Sequence, residues 1–197
     1  MYKVRLFNKL IGEFTNVAFS SDLHLKHDLI LKHRYFSTSD TMADTIYVNF
    51  YEHLEETDLL VLLGDHIMGE NKNYEEVLET LGRTKENTIF LIGNHDNRNK
   101  MKEQLIYVFD YLEMKVDKTK LVLSHFPIFH WNYQNTGSLH LHGHTHNYES
   151  PTLKEMHTYK CMDVGLDSAF HLFNMYRPFY LDEVKEILKN NKICERH

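Results

Sequence analysis

Leu59-Leu60-Val61-Leu62-Leu63-Gly64-Asp65 is the stretch on which the reading of this chain turns. Five consecutive apolar residues have the length of a strand buried on both faces, as in the parallel part of an α/β sheet. The glycine and carboxylate that follow put a charge at the strand's carboxyl end, where open α/β sheets present ligands. The same arrangement recurs on either side. Val17-Ala18-Phe19-Ser20-Ser21 leads into Asp22-Leu23-His24, and Thr88-Ile89-Phe90-Leu91-Ile92 leads into Gly93-Asn94-His95-Asp96. Further on, Lys120 to Ser124 ends at His125, and Ser138 to His142 ends at Gly143-His144-Thr145-His146.

Between these strands the pattern alternates with helices. Met42, Ile46, Phe50 and Leu54 fall at helical spacing and predict an amphipathic helix over Thr41 to Glu56. Tyr74 to Leu81 reads as a helix stopped by Gly82, and Lys100 to Phe109 as another. Strands then dominate. Tyr111 to Val116 and Lys120 to Ser124 form a hairpin around Asp117-Lys118. Leu139 and Leu141 alternate with His140 and His142, placing the two pairs on opposite faces. Tyr159 to Val164 is a last strand, before a closing helix at Leu181 to Lys189. With no repeat, low-complexity tract or linker, the 197 residues are expected to form one domain.

Composition narrows the function. The net charge is −6 and no Lys/Arg block stands out, whereas avid sequence-independent duplex binding uses a basic stripe. A small phosphorylated substrate stays open, because a local metal site overrides global charge. No run of about 18 apolar residues occurs, so a membrane span is not expected. Met1 to Phe14 alternates charged and apolar residues, unlike a signal peptide. Cys161 and Cys194 show no CxxC spacing, which makes a reducing cytoplasm the default and a disulfide unexpected. Of fifteen histidines, six lie between His125 and His146. His33, His53, His157, His171 and His197 are read as ordinary surface or core polar residues.

Carboxylate and imidazole together suit Mn, Fe, Zn, Co or Ni rather than calcium, which prefers oxygen alone. Asp-x-His, Gly-Asp, Gly-Asn-His-Asp, a lone His and Gly-His-x-His, in that order, resemble the calcineurin-like metallophosphoesterase superfamily. The resemblance spans Ser20 to His146, about two-thirds of the chain. Asp163-Val164-Gly165-Leu166-Asp167, with Arg177-Pro178, is similar to its small bacterial and phage branch. The resemblance implies an αββα sandwich of two mixed sheets flanked by helices. It also implies two divalent transition-metal ions, manganese first among them. Asp22, His24, Asp65 and His146 would hold one ion. Asp65 as a bridge, Asn94, His125 and His144 would hold the second, roughly 3.5–4 Å away.

The implied chemistry is hydrolysis of a phosphate ester by a metal-bridging hydroxide, with His95 as general acid. A phosphodiester from a nucleotide or nucleic acid is favoured. A phosphomonoesterase acting on a small metabolite or nucleotide is the runner-up. An interaction module that binds metal without turnover is the reading from a different class. Against the superfamily's protein phosphatases, which carry GDxxDRG, this chain has Met68 where the aspartate that orients the catalytic histidine would stand. That departure argues against a protein phosphatase and leaves the partner of His95 open, Asp96 being either that partner or turned elsewhere.

Around the site, substrate contacts are assigned to His27, Arg34, Asn94 and His95. For His27 the alternatives are phosphate or leaving-group contact and simple loop polarity. For Arg34 they are a phosphate clamp and a solvated cation. Asn97 and Arg98 either line the cleft or start a helix. The aromatic segment Phe126 to Tyr133 either stacks a nucleobase or packs in the core.

Overall fold

The computed structural model describes residues 14–148 and 150–195; most of the segment Met1 to Phe14, together with His197, lies outside them. The first strands are β1 (Val17–Ser20), β2 (Leu59–Leu63), β3 (Thr88–Leu91) and β4 (Val108–Phe109). A hairpin follows, of β5 (Tyr111–Val116) and β6 (Thr119–Ser124), and then β7 (Leu139–His142), β8 (Cys161–Asp163) and β9 (Phe179–Tyr180). They make two sheets, ordered β4-β3-β2-β1-β9 and β5-β6-β7-β8. Both are mixed. The first is parallel except for β9, and the second is antiparallel only between β5 and β6.

Alternate residues of β2 go to different cores, which is why its sequence is apolar throughout. Leu59, Val61 and Leu63 meet Leu121, Leu123, Leu139 and Leu141 of the second sheet. Leu60 and Leu62 pack outward against helices, on Met42, Ile46, Phe50 and Val77. Each such buried side chain contributes roughly 1.5–3 kcal/mol relative to exposure. The result is helices, two stacked sheets, and a smaller apolar cluster of Val122, Trp131, Met156 and Cys161 on the far face.

The helices are α1 (Leu31–Arg34), α2 (Ser39–His53), α3 (Tyr74–Thr80), α4 (Arg98–Gln104), α5 (Pro151–Met156), α6 (Leu166–Phe173) and α7 (Leu181–Leu188). Helix α2 starts two residues before the predicted Thr41. Thr38 and Thr41 form a reciprocal cap, each side chain accepting from the other's backbone N–H. The helix expected over Lys100 to Phe109 stops at Gln104. Leu105 is already extended, and Val108–Phe109 pair in parallel with Phe90–Leu91. The β-branched and aromatic run Ile106-Tyr107-Val108-Phe109 fits a strand better than a helix end. The last predicted strand shortens to β8. Helices α5 and α6 and strand β9 carry no expectation from the sequence. No helix is long and apolar enough to cross a membrane among the described residues, and both cysteines are free thiols.

Candidate metal centre

All five motifs leave their strands at the same end of the stacked sheets. From the first sheet, β1 delivers Asp22 and His24, β2 delivers Asp65, and β3 delivers Asn94 and His95. From the second, β6 delivers His125, and β7 delivers His144 and His146. The turns are tight. Asp22, His24, Asp65, His144 and His146 all have φ between 49° and 70°. That left-handed region costs a non-glycine residue of order 1 kcal/mol, although Asp and His tolerate it better than most. Two glycines permit the crowding: a Cβ on Gly93 would collide with the Asp65 carboxylate, and one on Gly143 with Ser21 and the Asp22 carboxylate.

Each carboxylate is anchored by one oxygen and presents the other. Asp22 Oδ2 accepts the His144 backbone N–H at 2.9 Å. Its Oδ1 is buried without a hydrogen-bond partner and lies 3.8 Å from His24 Nε2 and 3.7 Å from His146 Nε2. Asp65 Oδ1 accepts the His95 backbone N–H at 2.9 Å. Its Oδ2 lies between both groups, 3.8 Å from His24 Nε2 and 3.4 Å from His125 Nε2. Asn94 Oδ1 completes the second group, 2.9 Å from His125 Nε2 and 3.0 Å from His144 Nδ1.

The imidazoles are oriented from behind, as ligands are. His125 Nδ1 donates to the Leu63 carbonyl at 2.8 Å, leaving Nε2 as a lone pair aimed inward. His146 Nδ1 meets Asp167 Oδ2 at 2.7 Å, and its Nε2 then faces His24 Nε2 at 3.2 Å. Imidazole nitrogens and an orphaned carboxylate oxygen pointed at one another need a proton or a cation among them. The donor set therefore fits two metal ions, and the Asp22-His24-His146 and Asp22-Asp65-His125 groups each close to within 4.8 Å.

Electrostatics agree. Burial, aided by the charge of Asp163, pushes the Asp22 carboxyl up to about 7. Burial, with the nearby Arg34 and His146 charges, drives His24 down to about 2. Burial would raise Asp65 too, but the hydrogen bond and charge of His125 outweigh it and hold that carboxyl below the usual range.

His95 stands at the rim, 43% exposed, with Nε2 3.9 Å from Asp65 Oδ2. His27 is beside it: its ring lies 6.2 Å from that of His95, and its Nδ1 is 3.2 Å from His24 Nδ1. Asp96 does not orient His95. Its side chain is buried, and it accepts the backbone N–H groups of Asp65, His66 and Gly93.

Arg34 needs correcting on both expected readings. Its side chain has no exposed surface to offer a phosphate or solvent. The guanidinium pairs with both oxygens of Asp167, at 2.9 and 2.7 Å, and donates to the carbonyls of Asp22 and Leu23. Asp167 thus ties His146 to the loop that carries Asp22, and Asp163 holds the other arm through Thr145 and the Gly165 N–H. Neither aspartate is assigned a role by motif spacing; both lie in the stretch Asp163 to Asp167. Asn97 caps α4 through the Lys100 N–H, and Arg98 pairs with Asp110 outside the cleft. The aromatic segment divides: Trp131 is buried, whereas Phe126 is 49% exposed with its ring 4.6 Å from that of His144.

A family model, Calcineurin-like phosphoesterase, matches residues 15–190. The chain belongs to that family. As a calcineurin-like phosphoesterase it is 27% identical over 203 residues to the Gene 66 protein of Mycobacterium phage D29, covering 89% of this chain and 97% of that protein. It is also 27% identical over 177 residues to the uncharacterized protein MJ1445 of Methanocaldococcus jannaschii, covering 88% and 91%. Among solved structures, a protein of unknown function, AQ665 from Aquifex aeolicus, superposes with a TM-score of 0.65 at 22% identity. That superposition covers 87% of this chain and 98% of that one, and it extends the likeness to the whole sandwich.

Proposed function

We propose that this calcineurin-like phosphoesterase is a single-domain, two-metal hydrolase that cleaves a phosphodiester of nucleotide or nucleic-acid origin. The observation that carries the reading is the pair of half-anchored carboxylates, whose free oxygens face inward-pointing imidazole nitrogens. Asp22, His24, Asp65 and His146 would hold one divalent ion, and Asp65, Asn94, His125 and His144 the other, manganese being favoured. When bound, such a pair supplies an activated water at neutral pH and neutralises charge on the phosphoryl oxygens. The protein's own groups do the rest. Asp65 Oδ1, pinned by the His95 N–H, keeps Oδ2 aimed at the shared position. His95, at the solvent edge, passes a proton from its ring to the departing alkoxide, and His27 flanks the same side.

Exposed aromatic faces at both ends of the ligand row support a diester, which has a substituent on each side of phosphorus. Phe126 covers the His144 end. Beyond His146 and Asp167 opens a cleft of about 900 Å³, walled by Tyr35, Tyr148, Phe170 and Tyr176. Tyr35 and Tyr148 are 88% and 72% exposed, and such rings accept any base by stacking. Metal-loaded protein should hydrolyse bis(nitrophenyl) phosphate faster than nitrophenyl phosphate. The reverse ranking would hand the reaction to a monoesterase. No turnover of either ester, or of dinucleotides, with any of the five transition metals would leave a metal-bearing interaction module.

A further inference from the structure

The outer face of the second sheet buries polar side chains where apolar ones would be expected. Strand β7 alternates, with Leu139 and Leu141 turned to the inter-sheet core and His140 and His142 turned outward, both fully buried. The register places His140 beside Cys161 and His142 beside Asp163 of β8. Helix α5 lies over this face through Met156, and its C-cap residue is His157.

The two buried histidines differ. His140 is satisfied by backbone alone: its Nδ1 donates to the Val122 carbonyl at 2.9 Å and its Nε2 accepts the Ile128 N–H at 2.9 Å. His142 spends only Nδ1 on backbone, donating to the Gly143 carbonyl at 2.8 Å. Its Nε2 is left as a lone pair and faces His157 Nε2 at 2.9 Å, with the rings stacked 5.2 Å apart. Cys161 Sγ closes the group, all three ligand atoms lying within 4.8 Å of one another. The His24 and His146 nitrogens of the metal centre face each other in the same way, at 3.2 Å.

We propose that His142, His157 and Cys161 form a separate mononuclear site for a thiophilic divalent cation, zinc by preference. Two imidazoles and a thiolate suit zinc better than manganese, and three protein ligands leave a fourth position for water. His157 is the partly exposed member and marks the side from which an ion reaches the site. Coordination turns the buried thiol into a thiolate and releases its proton. The ion would fix the end of β7 one residue before the loop that carries His144 and His146.

Cobalt(II) titrated into metal-free protein provides the test. No cysteine belongs to the dinuclear ligand set, so the thiolate-to-cobalt charge-transfer absorption in the near ultraviolet that Cys161→Ala abolishes, with the half-buried Cys194 thiol still in place, reports this site and does not depend on hydrolysis. Wild-type protein should develop the band, compete it away with zinc, and hold one more zinc ion per chain than Cys161→Ala. His157→Ala, altered at the partly exposed ligand, should weaken the band strongly while keeping the fold's circular dichroism. A wild-type titration that saturates without the band would overturn the proposal, leaving a hydrogen-bonded histidine pair beside a free thiol. Equal zinc content in wild type and Cys161→Ala would overturn it too.

Discussion

The two sheets contribute different chemistry to one site. The five-stranded sheet delivers both inward-facing carboxylates, Asp22 and Asp65, along with Asn94 and His24. The four-stranded sheet delivers imidazoles only, from His125, His144 and His146. Neither makes a complete group of the proposed ligands, since the first ion would need His146 from across the interface and the second His125 and His144. In the proposed centre the carboxylate charge thus comes from one layer and most of the imidazoles from the other, and stacking the sheets brings them together.

The bridging position should be hit hardest. Asp65→Asn removes the charge both groups share, and hydrolysis should fall to the uncatalysed background with loss of most of the second ion by elemental analysis. Retention of both ions would break the idea that the first sheet supplies the bridge. Next, His95→Ala should keep both ions yet lose roughly 10²–10⁴-fold in kcat, the usual worth of a general acid. An unchanged kcat would remove His95 from the mechanism.

Asp167→Asn probes the second sheet's His146 from behind and should weaken metal affinity roughly 10–100-fold in chelator competition. Because each proposed ion would span both layers, its binding should also stabilise the folded protein, by about 2.7 kcal/mol at a free concentration of 100 Kd. Thermal melts with and without chelator would read this. His125→Ala and Asp22→Asn, one from each sheet, should both shrink the gain.

The smallest effect concerns pH in the metal-free protein. Burial depresses His24 to about 2, His140 to about 3 and His142 to about 4. The unfolded chain protonates these near 6.5, so their contribution is present above that value and drains away as pH falls toward 4. Asp22, raised to about 7, works the other way, favouring the fold at low pH and opposing it as pH rises through the same window. Asp22→Asn should therefore steepen the loss of stability on acidification. A shallower slope would contradict the assignment of Asp22 as the buried, unpaired carboxylate.

Much of this was readable in advance because it is local. The run Leu59 to Leu63 announces a strand buried on both sides, and a ligand at each strand end announces the cleft. What escaped depends on partners remote in sequence. Arg34 looks free until Asp167, 133 residues away, folds onto it. His157 looks like a surface polar residue until α5 brings it over His142 and Cys161. The apolar run Ile106 to Phe109 prolongs the helical pattern of α4 in sequence, and only pairing with β3 reveals a strand.

The left-handed backbone at Asp22, His24, Asp65, His144 and His146 carries a further meaning. The conformational cost of shaping these loops is met during folding, by packing and by hydrogen bonds within the protein such as those from the His144 and His95 N–H groups to Asp22 and Asp65. Arriving cations then find a ready-made cradle and lose little of their binding energy to ordering the chain. Metal exchange in this protein should accordingly be governed by the ions' own dehydration, with the polypeptide standing still around them.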